Sequence, residues 1–414
     1  MGNLIIENAK VVTPVGHQAL RGKEMSQLRI IPHCYILIEE GIIKYIGDGK
    51  NLPLSLDSNE YVRLDAQGNV VLPGFVDSHT HLVFGGFRPD EFEWRLKGDS
   101  YMSIMERGGG IQSTVNATKK ATDTHLQKKA NWFLKKMSEM GVTTVEAKSG
   151  YGLDFATEMR MLKVIENLQD NPDKFIDIIP TFLGAHAVPP EYKGKTSEYV
   201  DLLIGMLPEV SKIAKFCDVF CEKNVFELED SRRLLEAAKI EGMKIKLHAD
   251  EIVSLGGAEL SADLKAVSAD HLLHVSEKGI KRMAEEGVVA TLLPLTAFAL
   301  KEPYAPARKF IEEGCAVALA TDLNPGSCFS GSIPLTIALA CIYMDMSIEE
   351  TLTALTLNGA AALDKADMIG SIEVGKRGDI IILNSDNFKV LPYYVGMNCV
   401  KTTIFAGRIV NTQC

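Results

Sequence analysis

Long apolar runs, an excess of basic residues and dense cysteine are all missing from these 414 residues. The longest mostly apolar stretch, Val288–Leu300, contains Pro294 and falls short of the roughly 20 residues that a bilayer-spanning helix needs. The opening residues, MGNLIIENAK, lack a basic segment followed by an apolar one, so no export signal is expected. Eight cysteines are too sparse for a disulfide scaffold. Cys217 and Cys221 are expected to be buried, reduced thiols rather than metal ligands, and a cytoplasmic location is expected with them. Lys and Arg number 44 against 54 Asp and Glu, a formal charge of −10. That balance argues against a nucleic-acid or anionic-membrane partner. It leaves room for a small anionic substrate met by one local arginine. What the chain does have is 46% hydrophobic and 24% charged residues, enough apolar material for a large core and too much for disorder.

The first 70 residues read as strands. Leu4–Val12 is apolar-rich, Tyr35–Gly47 reads as a hairpin with Gly41 at its turn, and Val62–Leu64 and Val70–Leu72 continue the pattern. From Gly74 short β-branched runs alternate with longer amphipathic stretches. Strands are expected at Phe75–Ser78, Val142–Ala147, Ile176–Leu183, Phe216–Cys221, Lys244–His248, Ala266–Asp270, Val288–Leu292 and Ala316–Ala320. Helices such as Leu126–Met140, Thr157–Leu168, Leu228–Glu241 and Lys278–Glu286 fall between them. Gly141, Gly242, Gly287 and Gly314 stand where each helix must stop before the next strand. Eight such units over about 250 residues predict an α/β fold of the TIM-like (β/α)₈ class. Two further helices, Ile333–Tyr343 and Ser347–Leu363, precede the strand Gly378–Leu383 and the hairpin Lys401–Val410, which turns at Ala406-Gly407. The expected organisation is a barrel over residues 73–365, with a small β-sandwich domain built jointly from residues 1–72 and 366–414.

Four of the eight strands end in residues able to hold a metal ion. His79 and His81 close the first, two apart, so on an extended backbone both face the barrel mouth. Two imidazoles there suit a divalent metal; the plain alternative is a pair of solvent-facing loop histidines. His248 closes strand five as a possible third ligand. Glu251, three residues on, can transfer a proton or accept a bond from substrate. Ala269-Asp270-His271 closes strand six, and Ala320-Thr321-Asp322 closes strand eight with a carboxylate that can bind metal and also take a proton from the attacking water. Polar residues ending apolar strands are costly without partners, and four together are hard to assign to packing.

This set resembles the amidohydrolase superfamily, in which a barrel is flanked by a β-sandwich from both termini. Within it, Gly74–His81, then Ala147-Lys148-Ser149-Gly150-Tyr151-Gly152-Leu153, Phe182-Leu183-Gly184-Ala185-His186, His248-Ala249-Asp250-Glu251 and Thr321-Asp322-Leu323-Asn324-Pro325-Gly326 resemble the imidazolonepropionases, a histidine-degrading family, over nearly the whole chain. The resemblance implies one metal ion, Zn²⁺ or Fe, bound by His79, His81, His248 and Asp322. It implies that Arg88, Tyr151, His186, Glu251, Asn324, Gly326 and Ser327 contact substrate or product. It also implies that His271 stands beside the attacking water, outside the ligand set. Glu251, His271 and Asp322 are then the catalytic candidates. The implied reaction is hydrolysis of 4-imidazolone-5-propanoate to N-formimidoyl-L-glutamate. A homodimer is expected.

Other readings fit parts of the same pattern. Another mononuclear amidohydrolase activity, such as deamination of a heterocycle, would use His248, Glu251 and His271 as well. A non-catalytic scaffold on the same fold need not keep its ligands. Arg88 could be a surface residue paired with Asp90 or Glu91. Lys148 is expected to be structural or electrostatic, and strand four (Phe216–Glu222) carries no lysine to bridge two metals, which favours a mononuclear site. His17, His33 and His125 are expected on the surface, and His274 without a direct role. Gly108-Gly109-Gly110 lacks the Lys-Ser/Thr of a phosphate cradle and reads as a mobile loop near the mouth.

Overall fold

A computed structural model describes residues 2–49, 61–98, 107 and 109–413. The amino-terminal strands are β1 (Leu4–Thr13), β2 (Arg29–Glu39), β3 (Ile42–Gly47), β4 (Val62–Asp65) and β5 (Val70–Pro73). The barrel strands follow as β6 (Phe75–Asp77), β7 (Val142–Lys148), β8 (Asp177–Ala185), β9 (Phe216–Cys221), β10 (Lys244–Ala249), β11 (Ser268–His271), β12 (Val289–Leu292) and β13 (Val317–Leu319). Strands β14 (Ile380–Leu383), β15 (Val400–Phe405) and β16 (Arg408–Thr412) complete the chain.

The two ends share one sheet of order β16-β15-β14-β5-β1-β2-β3, with β4 beside β1. They meet where β14 runs antiparallel to β5, placing Ile381 against Leu72. Alternation decides what this sheet buries. Leu4, Ile6, Ile36 and Ile38 join Ile380, Ile382 and Ile404 in one core, whereas Ile5 and Leu37 turn the other way toward Tyr35, Tyr45 and Tyr61. One face of a single sheet supplies that first core from every strand but β16, so the sheet must fold over on itself.

β6 to β13 form the second sheet, parallel and in sequence order. Its strands are buried along their length, as a parallel sheet covered by helices requires. Gly141, Gly242, Gly287 and Gly314 sit at φ between +76° and +90°, the left-handed conformation that ends a helix at little cost to glycine. The sheet closes just beyond its strands: the Asp322 N–H donates to the His79 carbonyl (3.0 Å) and the His81 N–H to the Leu323 carbonyl (2.9 Å). Asp77 reinforces this seam by accepting from the Thr321 N–H (3.0 Å) and hydroxyl (2.6 Å). Closure therefore sets the end of the first strand beside the end of the eighth, which is where His79, His81 and Asp322 come together.

One expected element differs. Ser347–Leu363 was read as a single helix, but it divides into Ile348–Leu355 and Leu357–Ala361 at Thr356, whose φ and ψ are −123° and −91°. The break lets the second piece close on β6, where Gly359 lies against the Val76 backbone. No helix among the described residues is long and apolar enough to cross a membrane.

Candidate metal centre and active site

His79, His81 and His248 present ring nitrogens within 4.8 Å of one another, all buried. Asp322 Oδ1 lies 3.6 Å from His79 Nε2 and 3.5 Å from His81 Nε2. The partners of the other ring nitrogens fix the tautomers. His79 Nδ1 donates to Asp270 Oδ2 at 2.6 Å, and His248 Nδ1 faces Asp218 Oδ2 at 3.0 Å. Their Nε2 atoms are left as lone pairs. His248 Nε2 and His81 Nε2 stand 3.4 Å apart, while His79 Nε2 and Asp322 Oδ1 are buried without a hydrogen-bond partner among the described residues. Lone pairs converging in this way repel unless a cation lies among them, so the donor set fits a divalent metal. A second cluster, His79, Glu146 and Asp270, has the spacing to hold an ion. Its carboxylates are already engaged by the ammonium groups of Lys148 and Lys246.

Burial governs the charges here. It pushes the Asp322 carboxyl up to about 6 and, together with the nearby Asp322 charge, Glu251 up to about 8. His79, His81 and His271 are held well below the usual imidazole range by burial and by the cations around them. Burial alone would lower His248 too, but the Asp218 carboxylate holds it up. Backbone strain collects at the same place: His271, Leu272, Asp250 and Asp322 all have positive φ (75°, 61°, 49° and 54°).

A cavity of about 570 Å³ opens above the ligand group. Every residue assigned above to substrate, metal or catalysis lines it except His79, which lies beneath. His271 Nε2 stands 3.5 Å from Glu251 Oε2. His186 stacks on His81 with ring centres 4.8 Å apart, and its Nδ1 lies 3.0 Å from the Gly150 carbonyl. A carbonyl only accepts, so Nδ1 carries the proton and His186 Nε2 is an acceptor. Burial holds the His186 imidazole at about 3, which keeps it neutral. Glu158 gathers the N–H groups of Gly150, Gly152 and Leu153 (3.0, 2.7 and 3.0 Å) and thereby sets the loop carrying Tyr151. Asn324 spends its amide on its own loop, donating to the Asp322 carbonyl (2.7 Å) and accepting from the Gly326 and Ser327 N–H groups (2.7 Å each).

Arg88 is no surface residue: its side chain is 11% exposed and faces the cavity, touching Glu91 at 3.5 Å. A Cβ at position 326 would collide with the Arg88 guanidinium, so Gly326 makes room for it. His17, His33 and His125 are exposed as expected. His274, read as having no direct role, lines the cavity. Gly110 does too and donates its N–H to Glu91, whereas Gly108 lies outside the described residues. Cys217 and Cys221 are buried and free. The sequence reading named Asp270 only as part of a strand end, and it missed Glu146, Asp218 and Lys246 below the ligands, Thr296, whose hydroxyl donates to Asp322 Oδ2 at 2.6 Å, and Arg95, which donates to the Gly326 carbonyl at 2.9 Å.

The amidohydrolase family model matches residues 70–410. An imidazolonepropionase of Bacteroides thetaiotaomicron is 64% identical over 410 residues, covering 98% of each chain, and one of Clostridium tetani is 55% identical over 413 residues, 99% of this chain and 98% of that one. This chain belongs to the imidazolonepropionase family of the amidohydrolases. The fold of this amidohydrolase is also that of more distant solved structures. 5-Methylcytosine deaminase from Klebsiella pneumoniae aligns with a TM-score of 0.74 at 16% identity, over 99% of this chain and 98% of that one. E. coli guanine deaminase aligns with a TM-score of 0.70 at 16% identity, over the whole of both chains. At that identity the likeness concerns the fold alone: a (β/α)₈ barrel with a second, β domain.

Proposed function

We propose that this amidohydrolase opens the ring of 4-imidazolone-5-propanoate by hydrolysis, yielding N-formimidoyl-L-glutamate. The observation that carries the reading is one cavity holding an inward-facing guanidinium, Arg88, and a carboxylate–imidazole set suited to a metal ion. A planar guanidinium grips a carboxylate through two parallel N–H donors, which suits the propionate tail. The Tyr151 hydroxyl, kept protonated by burial, adds a further donor.

His79, His81, His248 and Asp322 are the proposed ligands of one ion, Zn²⁺ or Fe, since three imidazoles and a carboxylate accept both. The ion supplies Lewis acidity and favours the ionised form of the attacking water. The side chains do the rest. Asp322 receives the proton given up as the water oxygen bonds to the ring carbonyl carbon. The carbonyl carbon–nitrogen bond then breaks, and Asp322 returns the proton to the departing nitrogen. A carboxylate placed between the attacking water and the departing nitrogen can carry it in both directions. Glu251 and His271 align water and ring from the adjoining wall. His186, an acceptor at Nε2, takes a ring N–H rather than stabilising an oxyanion, the role its tautomer denies it.

A cytoplasmic location suits the free thiols. A homodimer is supported by exposed Ile342, Tyr343, Tyr393 and Met397, and sedimentation at two concentrations tests it. The function itself is tested by metal analysis of the native protein and by turnover of imidazolone propionate beside cytosine and guanine. Release of ammonia from either base, with no opening of the imidazolone, would favour the deaminase reading.

A further inference from the structure

Five charged side chains beneath the ligands take no part in the chemistry above. Glu146, Lys148, Asp218, Lys246 and Asp270 rise from β7, β9, β10 and β11, and none of their side chains is exposed. Every carboxylate oxygen among them is used. Glu146 Oε1 accepts from the Thr181 hydroxyl (2.6 Å), and its Oε2 from Lys148 (2.8 Å) and Lys246 (3.0 Å). Asp270 Oδ1 accepts from the Ser268 hydroxyl (2.6 Å), while its Oδ2 meets His79 and stands 3.4 Å from Lys246 and 3.8 Å from Lys148. Asp218 Oδ1 accepts from the Val219 N–H (2.7 Å), and its Oδ2 is shared by Lys148 (2.6 Å) and His248. Barrel interiors are ordinarily filled by branched apolar side chains, which cost less than ions taken out of water. Both aspartates end on an imidazole that points at the ligand group, and Lys148 touches both aspartates.

We propose that Lys148 and Lys246 are positioning residues whose ammonium groups hold the Asp218 and Asp270 carboxyl groups in place, so that these orient His248 and His79 with Nε2 toward the metal ion. The proposal rests on the reading that His79, His81, His248 and Asp322 hold that ion. A carboxylate behind a metal-binding imidazole fixes its tautomer and raises its basicity, and losing such a partner typically costs 10- to 100-fold in metal affinity.

The experiment measures the affinity of the full chain for Zn²⁺ by chelator competition, together with the rise in melting temperature when Zn²⁺ is added. Lys148→Met should lose 10- to 100-fold in affinity, and its metal-induced rise should shrink. The double variant Lys148→Met/Asp218→Asn removes one charge of each sign. It should regain the melting temperature of the metal-free parent yet keep the weakened affinity, because His248 has lost its anion. Parental affinity in the double variant would overturn the proposal and reduce the network to charge balance. If Lys148→Met does not fold, Asp270→Asn, which keeps shape and removes only charge, carries the test: a similar loss supports the proposal and parental affinity overturns it. His81 Nδ1 has no partner among the described residues, so His81 stands outside the network. Retention of metal by His81→Ala would instead refute the ligand reading, whatever Lys148→Met does.

Discussion

Below the ligand group, charged side chains from four strands share hydrogen bonds until no carboxylate oxygen is left over. Above it, the Arg88 side chain makes one ion pair among the described residues, with Glu91 at 3.5 Å, and sits on a loop leading into the helix Pro89–Leu96, which buries none of its residues. The floor is fixed by the parallel sheet and can shift only if strands shift. The rim is carried by connections that can adapt to what arrives. The contrast assigns rate to the floor and selectivity to the rim, and each assignment can be broken separately.

The largest effects belong to the proposed ligands that rest on the floor and to the residues beside them. His79→Ala and Asp322→Ala should lose metal and turnover together while the barrel stays folded, checked by metal content, turnover and circular dichroism. Full metal and full turnover in His79→Ala would mean that the site is misplaced. Glu251→Gln and His271→Asn come next. Each should keep the metal and lose about 10²–10⁴-fold in rate, the range of positioned acid–base groups. Rates within a few-fold of the parent would remove both from proton transfer and alignment.

Rim effects should be smaller and depend on the substrate. A hydrogen bond to a charged group contributes about 1.5–3 kcal/mol. Arg88→Met should therefore cost roughly 10- to 150-fold in kcat/KM toward imidazolone propionate and spare an imidazolone with a neutral tail. Gly326→Ala, by pushing on the Arg88 guanidinium, should move the same ratio by less. Equal losses for both compounds would assign Arg88 to supporting its loop.

The same contrast marks what could be read from the chain. The proposed ligands stood out because each lies at or just past the end of a barrel strand, where a polar residue is conspicuous. The barrel was legible because glycine ends its helices and β-branched runs follow. Glu146, Asp218 and Lys246 escaped notice because a charged residue inside a strand ordinarily reads as facing solvent. A signal was nevertheless present. Lys246 lies two residues before His248, and Glu146 two before Lys148, so each pair shares an inward face. Arg95 lies on a short, polar helix whose pattern gives no reason to expect it in a cavity, and only the fold brings it to the Gly326 carbonyl.

Metal removal sharpens the comparison through pH. Burial raises Asp322 to about 6, Asp77 to about 7 and Glu251 to about 8. In the folded, metal-free protein these three carboxyls hold more protons than in the unfolded chain between about pH 4 and 8, so their contribution to stability falls as pH rises through that window. A cation among the ligands favours the ionised carboxylates and offsets the fall. Melting temperatures of metal-free and loaded protein should therefore diverge as the pH goes from 5 to 8. Parallel curves would mean that these carboxyls do not sense the metal site.

The smallest effect belongs to the outer support of the rim. Lys129 donates to the Gly85 carbonyl at 2.7 Å and lies 4.4 Å and 4.1 Å from the ring centres of Phe84 and Phe87, clasping the loop that carries Arg88. Burial pushes its ammonium down to about 8. Lys129→Met keeps the apolar stem but loses the charge and the hydrogen bond. A cation–π contact of about 0.5–1 kcal/mol, spread over the loop, gives roughly a 2- to 5-fold rise in KM with kcat unchanged. The clasp is present while Lys129 is charged and is lost as pH rises through about 8. The KM ratio of charged-tail to neutral-tail substrate should therefore climb above pH 8 in the parent and stay flat in Lys129→Met. Because the ratio cancels titrations common to both substrates, a parallel climb in the variant would locate the pH dependence at Arg88's other neighbours and free Lys129 of any role at the rim.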